Sequence, residues 1–238
     1  MTNIRTNVLI YTEDIHAHGD PSHRAAYPIS LHDGIASAFP EDRYNVRAAE
    51  FGNIRESITP DTLAETDVLF WWGHDHHADV PDDISKLIIT EVQKGMGFVG
   101  LHSAHLSKPL TGLLGSSGTL SWRMSDKERI WTTAPFHPIS QGIPEYFDLN
   151  DEEVYAEPFD IPTPEDTVFI GWFGGGEVFR AGVTYRRGYG KVFYFQPGHE
   201  SFPTFYNPTI QQILRNAADW AKPTLRRNGL HCPNVKPM

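Results

Sequence analysis

Twelve histidines in 238 residues are the feature of this sequence that could do chemistry. They are not spread evenly. Glu13, His16 and His18 follow a first apolar run, "NVLIYT" at 7–12, and "WWGHDHH" places His74, Asp75, His76 and His77 directly after a third run at 67–72. "GFVGLH" at 97–102 delivers His102, with Ser103 and His105 behind it, and "KVFYFQPGHE" ends in His199 and Glu200. In an open parallel sheet ligands gather at the carboxyl ends of the strands, so four strand ends point imidazoles or carboxylates to one edge. A His-x-x-His spacing alone says little, since residues three apart share a face only in a helix. Neutral imidazoles with a carboxylate suit zinc or another borderline divalent metal, with a position left open for water or a substrate oxygen. The metal-free rival is acid–base chemistry by a histidine that a carboxylate orients.

The remaining histidines have ordinary readings. His18, His23, His76 and His231 lie in polar surroundings and read as solvated surface, and His32 as a half-buried residue on a helix face. His137, before a proline, reads as a loop brace or a site member. Trp72 and Trp122 adjoin polar candidates, and an aromatic face beside polar groups can hold a sugar. In "EEVYAEPF" strand alternation sends Glu152 and Glu153 to opposite faces, so one alone enters the pocket; Glu153, sharing its side with Tyr155 and Glu157, is the choice.

The elements that must position these residues alternate in the first half. Strands at 7–12, 44–50, 67–72 and 97–102 are separated by a helix at 30–39 and by a clear amphipathic helix with Ile84, Leu87, Ile88 and Val92 on one face, capped by Asp82 or Asp83 and closed by Gly95. This is the pattern of a parallel sheet wrapped by helices. The second half, "RIWTTAP", "EEVYAEPF", "TVFIGWF", "EVFRAGVTY" and "KVFYFQP", is mixed or antiparallel, with a hairpin turning at Arg187–Gly190. A last helix starts at Asn207 and Pro208 and buries Ile210, Ile213, Leu214 and Ala217. The fold class is α/β: a flavodoxin-like doubly wound parallel sheet with a β-rich extension, one domain over 1–226 and a loose tail at 227–238.

Composition excludes several functions. Twenty Lys and Arg against 30 Asp and Glu leave a net charge of −10, which disfavours nucleic acid. The single cysteine, Cys232, sits in the tail, so disulfides, cysteine-bound zinc and a cysteine nucleophile in the core are not expected. No apolar stretch reaches the length of a membrane span, and the default location is the cytoplasm. "GWFGGGEVF" lacks the following helix that a phosphate cradle needs.

The runs "WWGHDHH", "GMGFVGLHSAHLSKPLTGLLG", "SWR", "HPISQGIPEYFDLNDEEVYAEPFDIP", "GWFGGGEVFRAG" and "GKVFYFQPGHESFPT" resemble the trehalose-utilisation (ThuA-like) family, from Glu13 to about Trp220. That family is similar in fold to the class I glutamine amidotransferases. The resemblance implies a role in the metabolism of trehalose or a related, oxidised disaccharide. Its recurrent polar positions fall here on Glu13, His16, His32, His74, His77, His102, His105, Trp122, Arg123, His137, Glu153, His199 and Glu200. In the amidotransferases a cysteine occupies a sharp strand-to-helix elbow. Here "GLHSA" puts His102 there, which rules out a cysteine thioester and implies that His102 and His199 reach a shared atom.

The resulting expectation is a pocket in which His74, His102 and His199 bind a divalent metal, zinc among the candidates. Glu153, His105 and Glu200 act as catalytic groups, and Glu13, His16, Trp72, His77, Trp122, Arg123 and His137 contact a sugar. Isomerisation, hydration or elimination at an oxidised sugar would suit that apparatus; hydrolysis of a simple glycoside is less favoured, since no pair of carboxylates stands at glycosidase spacing in the sequence. The alternative is a non-catalytic sugar-binding or regulatory protein on the same fold. The expected partner is a small-molecule sugar, not a nucleic acid or a membrane, and assembly into a homo-oligomer is left open.

Overall fold

The apolar runs of the first half become neighbouring strands of one sheet. The computed structural model describes residues 5–236. The strands are β1 (Thr6–Thr12), β2 (Tyr44–Glu50), β3 (Val68–Trp72), β4 (Gly97–Leu101), β5 (Ser121–Thr132), β6 (Tyr146–Ala156), β7 (Asp166–Phe173), β8 (Val178–Arg187) and β9 (Gly190–Phe195). The helices are α1 (Pro21–Ala26), α2 (Leu31–Ala36), α3 (Ile54–Ser57), α4 (Pro60–Glu65), α5 (Asp82–Lys94), α6 (Lys108–Leu114) and α7 (Pro208–Ala221). Nine strands run in the order β2-β1-β3-β4-β9-β8-β7-β5-β6. The first five in that order are parallel to their neighbours and the others antiparallel.

Burial explains the sequence pattern. β3 and β4 are buried at every position, as continuous apolar runs covered on both faces must be. In α5, Ile84, Ile88 and Val92 face inward. Its cap is Pro81 rather than Asp82 or Asp83, which lie in the first turn, where their charge complements the helix dipole. Asn207 caps α7 by accepting from the backbone N–H groups of Thr209 and Ile210 at 2.9 and 3.4 Å, with Pro208 in the first turn. The helix expected over 30–39 stops at Ala36. The short α1, α3 and α4 carry too few turns to show a period in sequence. Among the described residues no helix is long and apolar enough to cross a membrane.

One close approach sets the seat of α7. A Cβ at Gly97 would lie 2.7 Å from the carbonyl oxygen of Ala221 and 2.8 Å from its Cβ. Both neighbours are parts of buried elements, so neither can give way cheaply. Gly97→Ala is expected to cost about 1–3 kcal/mol by overpacking. Thermal melting checks this, and an unchanged melting temperature would show that α7 has room to shift.

The sheet curls. Three strands, β8, β7 and β5, stand between β9 and β6 in the hydrogen-bonded order. Nevertheless the Gln196 amide, just after β9, donates to the Glu153 carbonyl in β6 at 3.1 Å. The antiparallel half therefore folds back over the carboxyl end of the parallel half. Irregular pairing of β5 with β6 between Arg123 and Glu128, and a left-handed Ser125 at φ 54, supply the local bend that bulges give a strand.

Candidate functional site

His102 directly follows β4 at φ 51, a left-handed conformation that residues other than glycine rarely adopt. This is the sharp elbow that the sequence comparison implies. Two hydrogen bonds hold it: the Tyr194 hydroxyl donates to the His102 carbonyl at 2.9 Å, and the His102 Nδ1 lies 2.9 Å from the Gln196 carbonyl oxygen. A carbonyl only accepts, so Nδ1 carries a proton, and Nε2 lies 3.0 Å from Glu153 Oε2. His74 Nδ1 lies 2.9 Å from Glu200 Oε1.

Both contacts are short, yet neither is aligned as a hydrogen bond, and His74 Nδ1, Glu153 Oε2 and Glu200 Oε2 are buried without a hydrogen-bond partner. Polar atoms so placed are costly unless something else engages them. Donor atoms of His74, Glu153 and His199 lie within 4.8 Å of one another, as do those of His102, His199 and Glu200. The three histidines expected to share one metal thus fall into two groups that meet at His199, each of two imidazoles and one carboxylate.

Electrostatics divides the roles. Burial alone would lower the His74 imidazole, but contact with Glu200 and its charge outweigh burial and raise it. Burial would likewise raise the Glu200 carboxyl, but His74, His199 and His102 hold it well below the usual range. Glu153 is also lowered, because His102, His199 and His74 overcome its burial. Burial, with the nearby imidazoles, pushes His105 and His199 down to about 4. Both are therefore neutral at neutral pH. His105 gives its Nδ1 proton to the Gly118 carbonyl at 2.7 Å, which leaves Nε2 as a base. His199 Nδ1 accepts from the Ser201 N–H at 3.1 Å, so its proton lies on Nε2.

Above these groups opens a cavity of about 380 Å³, lined by His74, Asp75, His77, Ser103, His105, Leu106, Trp122, Met124, Glu153, Tyr155 and His199. Strand alternation turns Glu153 into it, and Glu152 into the core, where it accepts from the Gly198 N–H at 3.2 Å and from the Thr204 hydroxyl. Glu200 lies just beneath, buried.

Other sequence candidates are not brought to the cavity. Glu13 is buried behind it and accepts from the backbone N–H groups of Asp75 and His76 at 2.8 and 3.1 Å, so it fixes the 74–77 loop. His16 Nε2 lies 2.8 Å from the Tyr27 carbonyl. Trp72 is fully buried and donates to the Gly198 carbonyl at 3.0 Å, because β3 runs on through it. Arg123 faces away, held by Glu177 and Asp126 at 2.6 Å each. His137 caps a short turn and packs against Trp220, with ring centroids 5.3 Å apart. His32 faces Glu50 at 3.3 Å. His23, read as surface, is buried, since its Nδ1 reaches the Ile15 carbonyl at 2.8 Å.

Sequence reasoning passed over Gln196, whose backbone carbonyl fixes the His102 tautomer, and gave Tyr155 no role beyond sharing a side with Glu153. The Tyr155 hydroxyl lies 2.9 Å from Ser103 Oγ and 3.4 Å from His102 Nε2. Burial holds Tyr155 far above its ordinary range, so it stays protonated and can donate. Its place two residues after Glu153 was the available signal.

Comparison with known proteins agrees with this fold. A family model described as "Trehalose utilisation" (ThuA) matches residues 7–221. A ThuA-like protein from Parabacteroides merdae superposes with a TM-score of 0.68 at 14% identity, covering 94% of this chain and 93% of that one. A cytoplasmic protein from Salmonella typhimurium LT2 gives 0.63 at 16% identity, over 91% of this chain and 100% of that one. A glutamine amidotransferase from Thermotoga maritima gives 0.52 at 11% identity, over 90% and 96%. At these identities the likeness concerns fold alone. No curated protein matches the sequence.

Proposed function

We propose, for a chain that belongs to the trehalose-utilisation (ThuA) family, that the cavity beside His102 binds trehalose or a related, oxidised disaccharide and moves a proton on its ring. One observation carries this reading: two groups of two histidines and one glutamate, with buried donor atoms that lack partners, meet at His199, where His74, Glu153 and His199 line a sugar-sized cavity and His102 and Glu200 lie behind them. His102, His199 and Glu200 would hold a divalent ion such as zinc, a donor set of two imidazoles and one carboxylate being common at catalytic sites, and binding would displace the Nε2 proton of His199. When bound, such an ion polarises a sugar hydroxyl or carbonyl oxygen.

The chain's own residues do the rest. Glu153, ionised, or His105 Nε2, neutral, takes a proton from a ring carbon or hydroxyl. The Tyr155 hydroxyl donates to an oxygen on which charge builds. His102 is oriented by the Gln196 carbonyl, as second partners commonly fix a ligating imidazole. Isomerisation or elimination at an oxidised sugar suits this apparatus. In this reading the protein works in the cytoplasm, in line with the description of the Salmonella neighbour.

Metal analysis of protein purified without a histidine tag, joined to incubation with trehalose and its keto-derivatives, tests the proposal. The expected result is one divalent ion per chain, lost in His199→Ala, with product formed from a sugar. Absence of both metal and sugar affinity would sink it. Tight sugar binding without turnover would leave a binding protein instead.

A further inference from the structure

The cavity is not uniform with depth. Its floor consists of groups that form hydrogen bonds: Ser103, His105, Glu153, Tyr155 and His199, all buried. One wall of its mouth is different: Leu106 is 43% exposed, Trp122 65% and Met124 48%. These three have no hydrogen-bonding group to offer beyond the indole N–H and the weak thioether. Exposed large apolar side chains gathered at a cavity mouth mark a surface that something else covers.

The wall is built rather than loose. Trp122 pairs across the strands with Tyr155, so the exposed indole at the rim stands on the same face of the sheet as the buried phenol of the floor. Trp122 and Met124 share a face of β5, and Arg123 between them is clamped on the other side by Glu177 and Asp126. Leu106 follows His105 directly, in the short helix whose first residue is the His102 elbow. A second sugar ring placed here would find few partners for its hydroxyls, which would stay in water. A flat apolar group would remove all three side chains from water and stack on the indole.

We propose that this wall is a subsite for an aromatic or other flat apolar group, so that the preferred ligand is a glycoside of such a group rather than a disaccharide. The inference rests on the reading above that a sugar ring enters the cavity, and it replaces the second ring of the disaccharide by an apolar group. The polar ring enters first and meets Glu153, His105 and Tyr155. The group attached to it stays at the mouth, against Trp122.

Calorimetric titration of the full chain with methyl α-glucoside, phenyl α-glucoside and trehalose, each in native and ring-oxidised keto form, tests it. The phenyl compound is expected to bind about tenfold more tightly than the methyl compound or trehalose. In the double variant Trp122→Ser, Met124→Ser that advantage disappears, whereas Trp172→Ser, which removes an exposed indole elsewhere, keeps it. Equal affinity for phenyl and methyl glucosides, tighter binding of trehalose, or an advantage retained in the double variant would each overturn the subsite. So would a dimer, seen by sedimentation, that dissociates in the double variant. The two readings fail differently: binding of sugars through Glu153 without a phenyl advantage removes only the subsite. If no glucoside binds, the sugar reading falls and the subsite with it.

Discussion

Replacing His102 by glycine is expected to give a more stable protein than replacing it by alanine, by about 1 kcal/mol, the reverse of the usual order. Both variants lose the imidazole, its contact with Glu153 and its stacking on Tyr155, whose ring centroid lies 5.1 Å away. What separates them is the backbone. At φ 51 a Cβ crowds the following carbonyl, and glycine has none. In a chain of this length a difference of 1 kcal/mol appears as roughly 2–4 °C in melting temperature. Turnover should fall about 10²–10⁴-fold in both, the usual range for a lost acid–base or orienting group. Paired melting curves and rates on a keto-disaccharide check both statements. An alanine variant as stable as the glycine one would show that the elbow carries no strain, and an active variant would remove His102 from the chemistry.

Glu128→Gln is expected to stabilise the protein at alkaline pH and to do little at pH 5. Glu128 is fully buried on β5, neither carboxyl oxygen has a hydrogen-bond partner, and its acidic neighbour is Glu152. Burial, helped by Glu152, raises its carboxyl well above 4.5. A raised folded value means that the stabilising contribution is complete below the unfolded value and fades as pH climbs towards the folded one. Above pH 4.5 the unfolded chain releases this proton while the native chain keeps it. The loss can reach about 1.4 kcal/mol per pH unit. Glutamine has nearly the same shape and no proton to lose, so the difference between the two proteins widens as pH rises above 4.5. Chemical denaturation at several pH values reads it directly. A pH-independent difference would mean that Glu128 is ionised in the native state.

What the sequence disclosed of this site follows a simple division. Strand ends and strand alternation are local, and they located His74, His102, His199 and Glu153, the last by the opposition of Glu152 and Glu153 within one strand. Residues whose role depends on a partner far along the chain were illegible. Nothing near Glu13 announces that it caps the backbone N–H groups of Asp75 and His76, and nothing near Arg123 tells that Glu177 will draw it away from the cavity. His23 looks polar in sequence because its neighbours are polar, but the Ile15 carbonyl gives its ring a reason to be buried. The role of Gln196 depends on the left-handed turn at His102, which no residue type there requires.

The curl of the sheet has a consequence for how the site comes apart. β6 is an edge strand, with β5 as its one neighbour in the hydrogen-bonded order, and edges open at lower cost than sheet centres. Since β6 carries Glu153, the pocket belongs in part to an edge of the sheet. Its amides should exchange with solvent sooner than those of β3 and β4 while the rest of the fold stays intact. Glu152, hooked to Gly198 and Thr204, works against that fraying from the hidden side of the same strand. Two adjacent glutamates thus serve opposite ends: one exposes the strand to a ligand, and the other keeps it from leaving.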